Sequence, residues 1–448
     1  MFGTSGVRGP VGETVTAELA LSVGRAVGTS ADRVVLGRDA RDSGRMLMDA
    51  LAAGLQETGT DVIALGRAAT PTIARGVGDR DADAGIAITA SHNPPADNGI
   101  KLWSPSGQAF TPDEQETIVR RIERDSYALS GWDEQGVRRQ WTDATAAHRK
   151  SIVDVGADAA DAAGVDLGTL SIVVDVGNGM GGITADALYE LGATVETLNA
   201  QPDGRFPGRP SEPTAETCRT LRRCVDRLSA DLGIAHDGDA DRMMAVDDEG
   251  TFVPGDVLLA VFGREIASAG DRVAAPINTS LAVDDALAEI GASIVHTKVG
   301  DGFVADRTTD DDVVFGGEPS GAWIFPEETL CPDGPLAAVK LAVLAAEQPL
   351  SDRVSVIDRY PIRREAIETD HKSAVMKRVA ERLRAENDSV DDLDGLRVSR
   401  EQGWFLVRAS GTQPIVRLTA EARSASVADA LRSEARSIVE GAIDEVES

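Results

Sequence analysis

The sequence predicts an α/β protein built from several units and closed by a smaller α+β unit. Three observations carry this. Apolar runs that read as buried strands recur along the chain. Each ends in a Gly- or Asp-rich loop, and a helical stretch is expected after it. From residue 358 the pattern changes to short strands and charged helices. Continuous apolar strands alternating with helices are the signature of parallel sheets covered on both faces, and in such sheets ligands bind beyond the C-terminal strand ends.

At 448 residues there is length for about three domains, and the pattern divides the chain into four parts. Residues 1–143 open with a glycine-rich loop, Gly3-Thr4-Ser5-Gly6-Val7-Arg8-Gly9. They continue through the strand-like Val34-Val35-Leu36-Gly37-Arg38-Asp39 to an apolar run at 85–90, which leads into Thr89-Ala90-Ser91-His92-Asn93-Pro94-Pro95. Residues 144–247 hold a strand from 171 that enters Gly177-Asn178-Gly179-Met180-Gly181-Gly182. A second strand there, 232–235, enters His236-Asp237-Gly238-Asp239-Ala240-Asp241-Arg242. Residues 248–357 hold a strand from 313 that enters Gly316-Gly317-Glu318-Pro319-Ser320-Gly321. Residues 358–448 read as a strand, a charged helix at 372–386, two strands within about 397–420 and a final helix.

Composition narrows the function. The chain carries 74 acidic and 45 basic residues, a net charge of −29, and only six of the basic residues are lysine. That balance points to a halophilic protein, because at molar salt the Debye length is ~3 Å and self-repulsion is screened. It disfavours nucleic acid, whose phosphates need a cationic surface. No apolar run reaches 18 residues, so no membrane span is expected. No secretory leader is visible either, so a cytoplasmic protein is expected. Cys218, Cys224 and Cys331 lack metal or disulfide spacing and read as reduced thiols. The composition is compatible with a monomer or a homo-oligomer.

Four loops bear chemistry. Asp237, Asp239 and Asp241 alternate on an extended loop, which turns three carboxylates to one side and suits an octahedral Mg²⁺ that keeps positions for water or phosphate. A calcium EF-hand would share this spacing, but Arg242 stands where that loop needs Gly, and the flanks are strand-like. Ser91 offers a hydroxyl on a turn stiffened by Pro94 and Pro95, with Lys101 shortly after it. Arg408-Ala409-Ser410-Gly411-Thr412-Gln413-Pro414, with Arg417, offers guanidiniums, hydroxyls and backbone N–H groups suited to a phosphate. The N-terminal loop adds Arg8. Together they read as metal-assisted phosphoryl transfer through a serine. The rival is residues 177–182, a G-x-G-x-x-G match after a strand, with Glu196 in the next strand, as in an NAD-binding oxidoreductase. A tight strand-to-helix turn is preferred, since the NAD reading leaves the other loops unexplained.

The four loops, in order and across the whole chain, resemble the α-D-phosphohexomutase family of phosphoglucomutases, phosphomannomutases and phosphoglucosamine mutases. The resemblance implies three similar mixed or parallel α/β sandwich domains and a smaller C-terminal α+β domain around a central cleft. It implies a phosphorylated Ser91 that passes its phosphoryl group to a phosphosugar and recovers the other phosphate from a bisphosphate intermediate. A sugar bisphosphate would prime Ser91, and one Mg²⁺ would sit among Ser91, Asp237, Asp239 and Asp241. Arg8 and Lys101 match positions around the transferring phosphate. Arg242, Glu318 and Ser320 match substrate-binding positions, and Arg408, Ser410, Gly411, Thr412 and Arg417 those that grip the other phosphate. Ala322 stands where many relatives carry an acid/base His, which leaves Lys101, His92 and Lys298 as candidates for proton transfer. The opening loop and residues 317–334 resemble the glucosamine-phosphate branch most. Conversion of glucosamine 6-phosphate to its 1-phosphate is therefore expected, with mannose, glucose or pentose phosphates as alternatives.

Overall fold

The computed structural model describes residues 6–387, 389–410 and 414–447. Four sheets follow one another along the chain. The first comprises β1 (Val7–Pro10), β2 (Arg33–Arg38), β3 (Asp61–Arg67), β4 (Ala84–Ile88), β5 (Asp97–Trp103) and β6 (Arg138–Gln140), in the order β1-β5-β4-β2-β3-β6. Strands β4, β2, β3 and β6 are parallel, while β5 runs against both β4 and β1. The second comprises β7 (Ser171–Asp175), β8 (Thr194–Leu198), β9 (Leu232–His236), β10 (Met243–Val246) and β11 (Phe252–Val253), ordered β11-β10-β9-β7-β8. Because β11 pairs with β10, this sheet extends past residue 247, where the sequence pattern placed a boundary.

The third sheet holds β12 (Arg272–Pro276), β13 (Ser293–Thr297), β14 (Val313–Gly317) and β15 (Trp323–Ile324), ordered β13-β12-β14-β15. The last is fully antiparallel: β16 (Ile362–Glu368), β17 (Leu396–Arg400), β18 (Gly403–Ala409) and β19 (Ile415–Ala422), ordered β16-β19-β18-β17. The sequence pattern gave two strands within 397–420. The structure has three, because Glu401-Gln402 make a two-residue hairpin in which Arg400 faces Gly403.

The expected strand-loop-helix unit holds after β2 and β7, but not where the chemistry lies. From β4, β9 and β14 the chain returns as an antiparallel strand, to β5, β10 and β15. The residues after each loop explain this. Met243-Met244-Ala245-Val246 is entirely buried and is too short for a helix before the turn at Asp247. Residues 100–103 are likewise buried on both faces of their sheet.

One apolar core runs without a break from Ile152 to Ile357 and serves the second and third sheets together. Its axis is the helix Gly334–Glu347, apolar nearly all round and therefore buried nearly all round. Separate clusters lie under the first and fourth sheets. Asp333 caps that helix by accepting from Leu336 N at 3.0 Å, and it joins three parts of the chain. Its carboxylate takes Arg75 Nε at 2.8 Å and bonds His148 Nε2 at 3.0 Å, and His148 Nδ1 in turn meets Thr72 Oγ1 at 2.8 Å. Burial works against the Asp333 charge, but His148 and Arg75 outweigh it and hold the carboxyl well below the usual range. Among the described residues no helix is long and apolar enough to cross a membrane, and all three cysteines are free.

Candidate active site

Ser91 lies in the return from β4 to β5, 1% exposed, at φ +50°. A non-glycine residue in that left-handed region carries strain that its surroundings must hold. The hydroxyl donates to Asp237 Oδ2 at 2.6 Å and lies 3.4 Å from His92 Nδ1.

The aspartate loop spans the return from β9 to β10, and His236 and Met243 are register partners at its base. His236 closes it. Its Nδ1–H donates to the Arg242 carbonyl at 2.9 Å, and its Nε2 takes the Thr184 hydroxyl at 2.8 Å. Asp237, Asp239 and Asp241 are buried, with one ligand oxygen of each within 4.8 Å of the others. The first unit braces the loop: Thr70, at the start of the helix Thr70–Asp79, donates its N–H to the Asp239 carbonyl at 2.9 Å and its hydroxyl to Oδ2 at 2.6 Å. The Lys101 ammonium pairs with Asp241 and lies 3.6 Å from Asp239.

Electrostatics follow from this packing. Burial pushes Asp237 well above the carboxylate range, and Asp241 and Asp239 add to it. Burial also opposes the charge on Asp239, but Lys101 and the Thr70 hydroxyl outweigh it and hold that carboxyl low. For Lys101, burial alone would lower the ammonium, and its pairs with Asp241 and Asp239 raise it instead. Burial, with Arg242, Arg8 and Lys101, pushes His92 down to about 2, so its imidazole is neutral at working pH. Lys298 is exposed beside the Phe303 ring. Arg8 is held on β1 opposite Gly99, and its Nε is buried without a hydrogen-bond partner among the described residues.

The residues present fit a hard divalent cation. Three carboxylates converge, and the buried Asp239 Oδ1 and Asp241 Oδ1 have no hydrogen-bond partner among the described residues. Buried carboxylate oxygens without donors are what a metal would satisfy.

The third sheet's loop docks on the aspartate loop. Met243 N donates to the Gly321 carbonyl at 2.9 Å, and Trp323 Nε1 donates to Met243 O at 2.8 Å. Glu318, 8% exposed, accepts from Gly300 N at 2.8 Å and from the Ser320 hydroxyl at 3.2 Å. Burial raises its carboxyl, Asp301 adds, and the nearby Arg242 opposes. The structure thus gathers Ser91, Arg8, Lys101, Asp237, Asp239, Asp241, Arg242, Glu318 and Ser320 around one centre.

Arg408 and Arg417 stand apart. They are register partners on β18 and β19 and line a cavity of about 460 Å³ with Arg364 and Asn278. Arg408 donates to Asp394 at 2.7 Å, the same carboxylate oxygen takes Val299 N at 3.1 Å, and Gly300 bonds Glu318. That chain of bonds joins the cavity to the centre. Ser410 is buried, and its carbonyl accepts from Lys372 at 2.6 Å. Gly411 and Thr412, and residues 3–5 of the opening loop, lie outside the described residues.

The glycine turn at 177–182 is filled by protein. A Cβ on Gly177 would lie 2.7 Å from the Arg209 guanidinium, one on Gly179 2.6 Å from the Gly238 carbonyl, and one on Gly181 2.7 Å from the His236 ring. Those glycines let the aspartate loop lie against the turn, and a dinucleotide pyrophosphate would have to displace it.

Sequence profiles described as domains I, II, III and C-terminal of phosphoglucomutase/phosphomannomutase match residues 1–128, 146–250, 254–360 and 366–438. The chain belongs to this family. It is accordingly an enzyme of the phosphosugar mutase class. Similar relatives include a probable phosphoglucosamine mutase of Methanopyrus kandleri, 43% identical over 99% of each chain. Another is that of Methanosarcina barkeri, 44% identical over 94% of this chain and 95% of the other. Among solved structures, a phosphoglucomutase/phosphomannomutase family protein of Burkholderia thailandensis superposes with a TM-score of 0.86 at 26% identity, covering 99% of this chain and 98% of that one. The N-acetylphosphoglucosamine mutase of Aspergillus fumigatus shares the fold at a TM-score of 0.62 and 16% identity, covering 99% of this chain and 96% of that one.

Thr70 and Arg209 escaped the sequence reading, and His236, quoted there as the first residue of the aspartate loop, was given no role.

Proposed function

We propose that the chain interconverts glucosamine 6-phosphate and glucosamine 1-phosphate through a phosphoserine at Ser91. The observation that carries the mechanism is the Ser91 hydroxyl 2.6 Å from Asp237 inside a buried three-carboxylate cluster. The archaeal relatives named as probable phosphoglucosamine mutases support the substrate.

In the forward half-reaction the P–Oγ bond of phospho-Ser91 breaks and a P–O bond to the sugar O1 forms, while O1 gives up its proton and Ser91 Oγ takes one up to become a hydroxyl. In the return half, Ser91 Oγ takes the phosphoryl group of the 6-phosphate and loses its own proton, and O6 is protonated. The sum is an isomerisation with nothing left over. Asp237 accepts the Ser91 hydroxyl proton in a hydrogen bond and so orients the oxygen. Lys101 and Arg8 place positive charge where the phosphoryl oxygens pass. Asp237, Asp239, Asp241 and Ser91 would hold Mg²⁺, which supplies neutralisation of charge on the transferring group. Glu318, Ser320 and Arg242 face the sugar hydroxyls, and Arg408 and Arg417 hold the distal phosphate. The deeply buried centre keeps water from intercepting the phosphoryl group.

A substrate panel tests this in molar KCl with Mg²⁺ and a hexose 1,6-bisphosphate primer. Glucosamine phosphate should give the highest kcat/KM, and Ser91→Ala should abolish turnover and phosphate uptake. Preference for mannose or glucose phosphate would overturn the substrate assignment alone. Wild-type turnover in Ser91→Ala would overturn the mechanism.

A further inference from the structure

The loop after β2, which opens Asp39-Ala40-Arg41, plays no part in the chemistry above, yet Arg41 bonds the Ser91 carbonyl. Arg41 is 0% exposed. A guanidinium has five N–H donors in a rigid fork, and all five are used here. Nε donates to Asp39 Oδ2 at 3.0 Å. Nη1 donates to the carbonyls of Pro94 at 2.6 Å and Asp97 at 2.9 Å. Nη2 donates to those of Ser91 at 2.9 Å and Asn93 at 2.6 Å. Four of the five bonds thus end on the backbone of one short loop.

The other end of the Ser91 residue is tied to the same pair. Ser91 N donates to Thr89 Oγ1 at 2.9 Å, and that hydroxyl donates to Asp39 Oδ2 at 2.8 Å. The Ser91 carbonyl also takes the Ser211 hydroxyl, at 2.9 Å, from the second unit. The Phe206 ring lies 5.0 Å from the guanidinium and closes the far side. A buried ion pair is an expensive way to hold a fold. Here its remaining donors all converge on the loop that carries Ser91, a residue held in a strained backbone conformation whose hydroxyl meets Asp237.

We infer that Arg41 is the positioning residue of the Ser91 loop. Its fork sets the carbonyls of residues 91, 93, 94 and 97, and through them the direction of the Ser91 hydroxyl, without touching the sugar or its phosphates. This rests on the phosphoserine reading given above.

The test is single-turnover transfer from Ser91 loaded with labelled phosphate by a hexose 1,6-bisphosphate, counted per loaded chain, in wild type, Arg41→Lys and Arg41→Gln. A lysine ammonium is a point donor and cannot reproduce the fork. A displacement of about 1 Å at a reacting atom costs roughly 100-fold. The expected result is a transfer rate per loaded chain about 100-fold lower in Arg41→Lys, with half-saturation by glucosamine phosphate within about threefold of wild type. A folding defect would lower the loaded fraction but leave that rate unchanged. A rate near wild type in a folded variant would overturn the inference. So would loss of the folded state in both variants, since positioning requires a fold that stands without the clamp. Failure of the wild type itself to load would overturn the phosphoserine reading and this inference with it.

Discussion

Replacing Asp333 by alanine should destabilise the protein without touching its chemistry. Asp333 is fully buried, caps the helix Gly334–Glu347, and receives Arg75 and His148. Its loss leaves Arg75, 12% exposed, without its carboxylate, and breaking so nearly buried a pair costs about 3–5 kcal/mol. The lost cap adds about 1 kcal/mol. Against an unfolding entropy of ~2.1 cal/mol/K per residue, 4–6 kcal/mol lowers the Tm by roughly 5 °C if the units melt together. Asp333→Asn keeps an acceptor for Leu336 N and loses only the charge, so about half that loss is expected. The assay is thermal melting by circular dichroism in molar KCl, with kcat measured well below the transition. A Tm for Asp333→Ala within about 1 °C of wild type would refute the reasoning, because the pairing would then contribute nothing.

Three further outcomes follow from the same packing. Burial pushes the Asp256 carboxyl up to about 6, partly offset by the Ser280 N–H. A raised folded value favours the neutral form, so its stabilising share is full below the unfolded pKa of about 3.9 and is lost as pH rises through about 6. Asp256→Asn should therefore be the more stable form at pH 7.5, by about 1–2 kcal/mol once the carboxylate's partial exposure is allowed for. The gap should shrink by about half at pH 5 in urea titrations. Gly179→Ala places a Cβ 2.6 Å from the Gly238 carbonyl and should raise the Mg²⁺ concentration needed for half-maximal activity about tenfold, with no binding of NAD to either form. With a net charge of −29, the fold should weaken on transfer from molar KCl to dilute buffer. Identical circular dichroism in both would count against the halophilic reading.

What was legible in the sequence was local. Alternate aspartates after a buried strand predict converging carboxylates, because spacing alone turns them together, and the structure brings one oxygen of each within 4.8 Å of the others. A serine before paired prolines announces a fixed hydroxyl. Those loops came through because each is one contiguous segment. Bonds between segments left no trace. Thr70 lies 169 positions before Asp239, and nothing near it says that its hydroxyl belongs to the aspartate loop. Arg41 could be suspected from its place after β2, but its four carbonyl partners become visible only once the chain is folded. The strand-like run after the aspartate loop is β10, but the return strands β5 and β15 were misjudged for another reason: a short apolar run after a loop looks alike whether it begins a helix or a strand.

The unbroken core from Ile152 to Ile357 limits how the molecule can be divided. The helix Gly334–Glu347 comes late in the chain, yet it packs on the helix Ala144–Ala163 at the start of the second unit. A cut between the second and third sheets would strip an almost wholly apolar rod of one wall and leave both fragments prone to aggregate. Recombination between relatives would therefore need to exchange residues 144–357 as one block. The first and last units, with clusters of their own, are the places where modular exchange could begin.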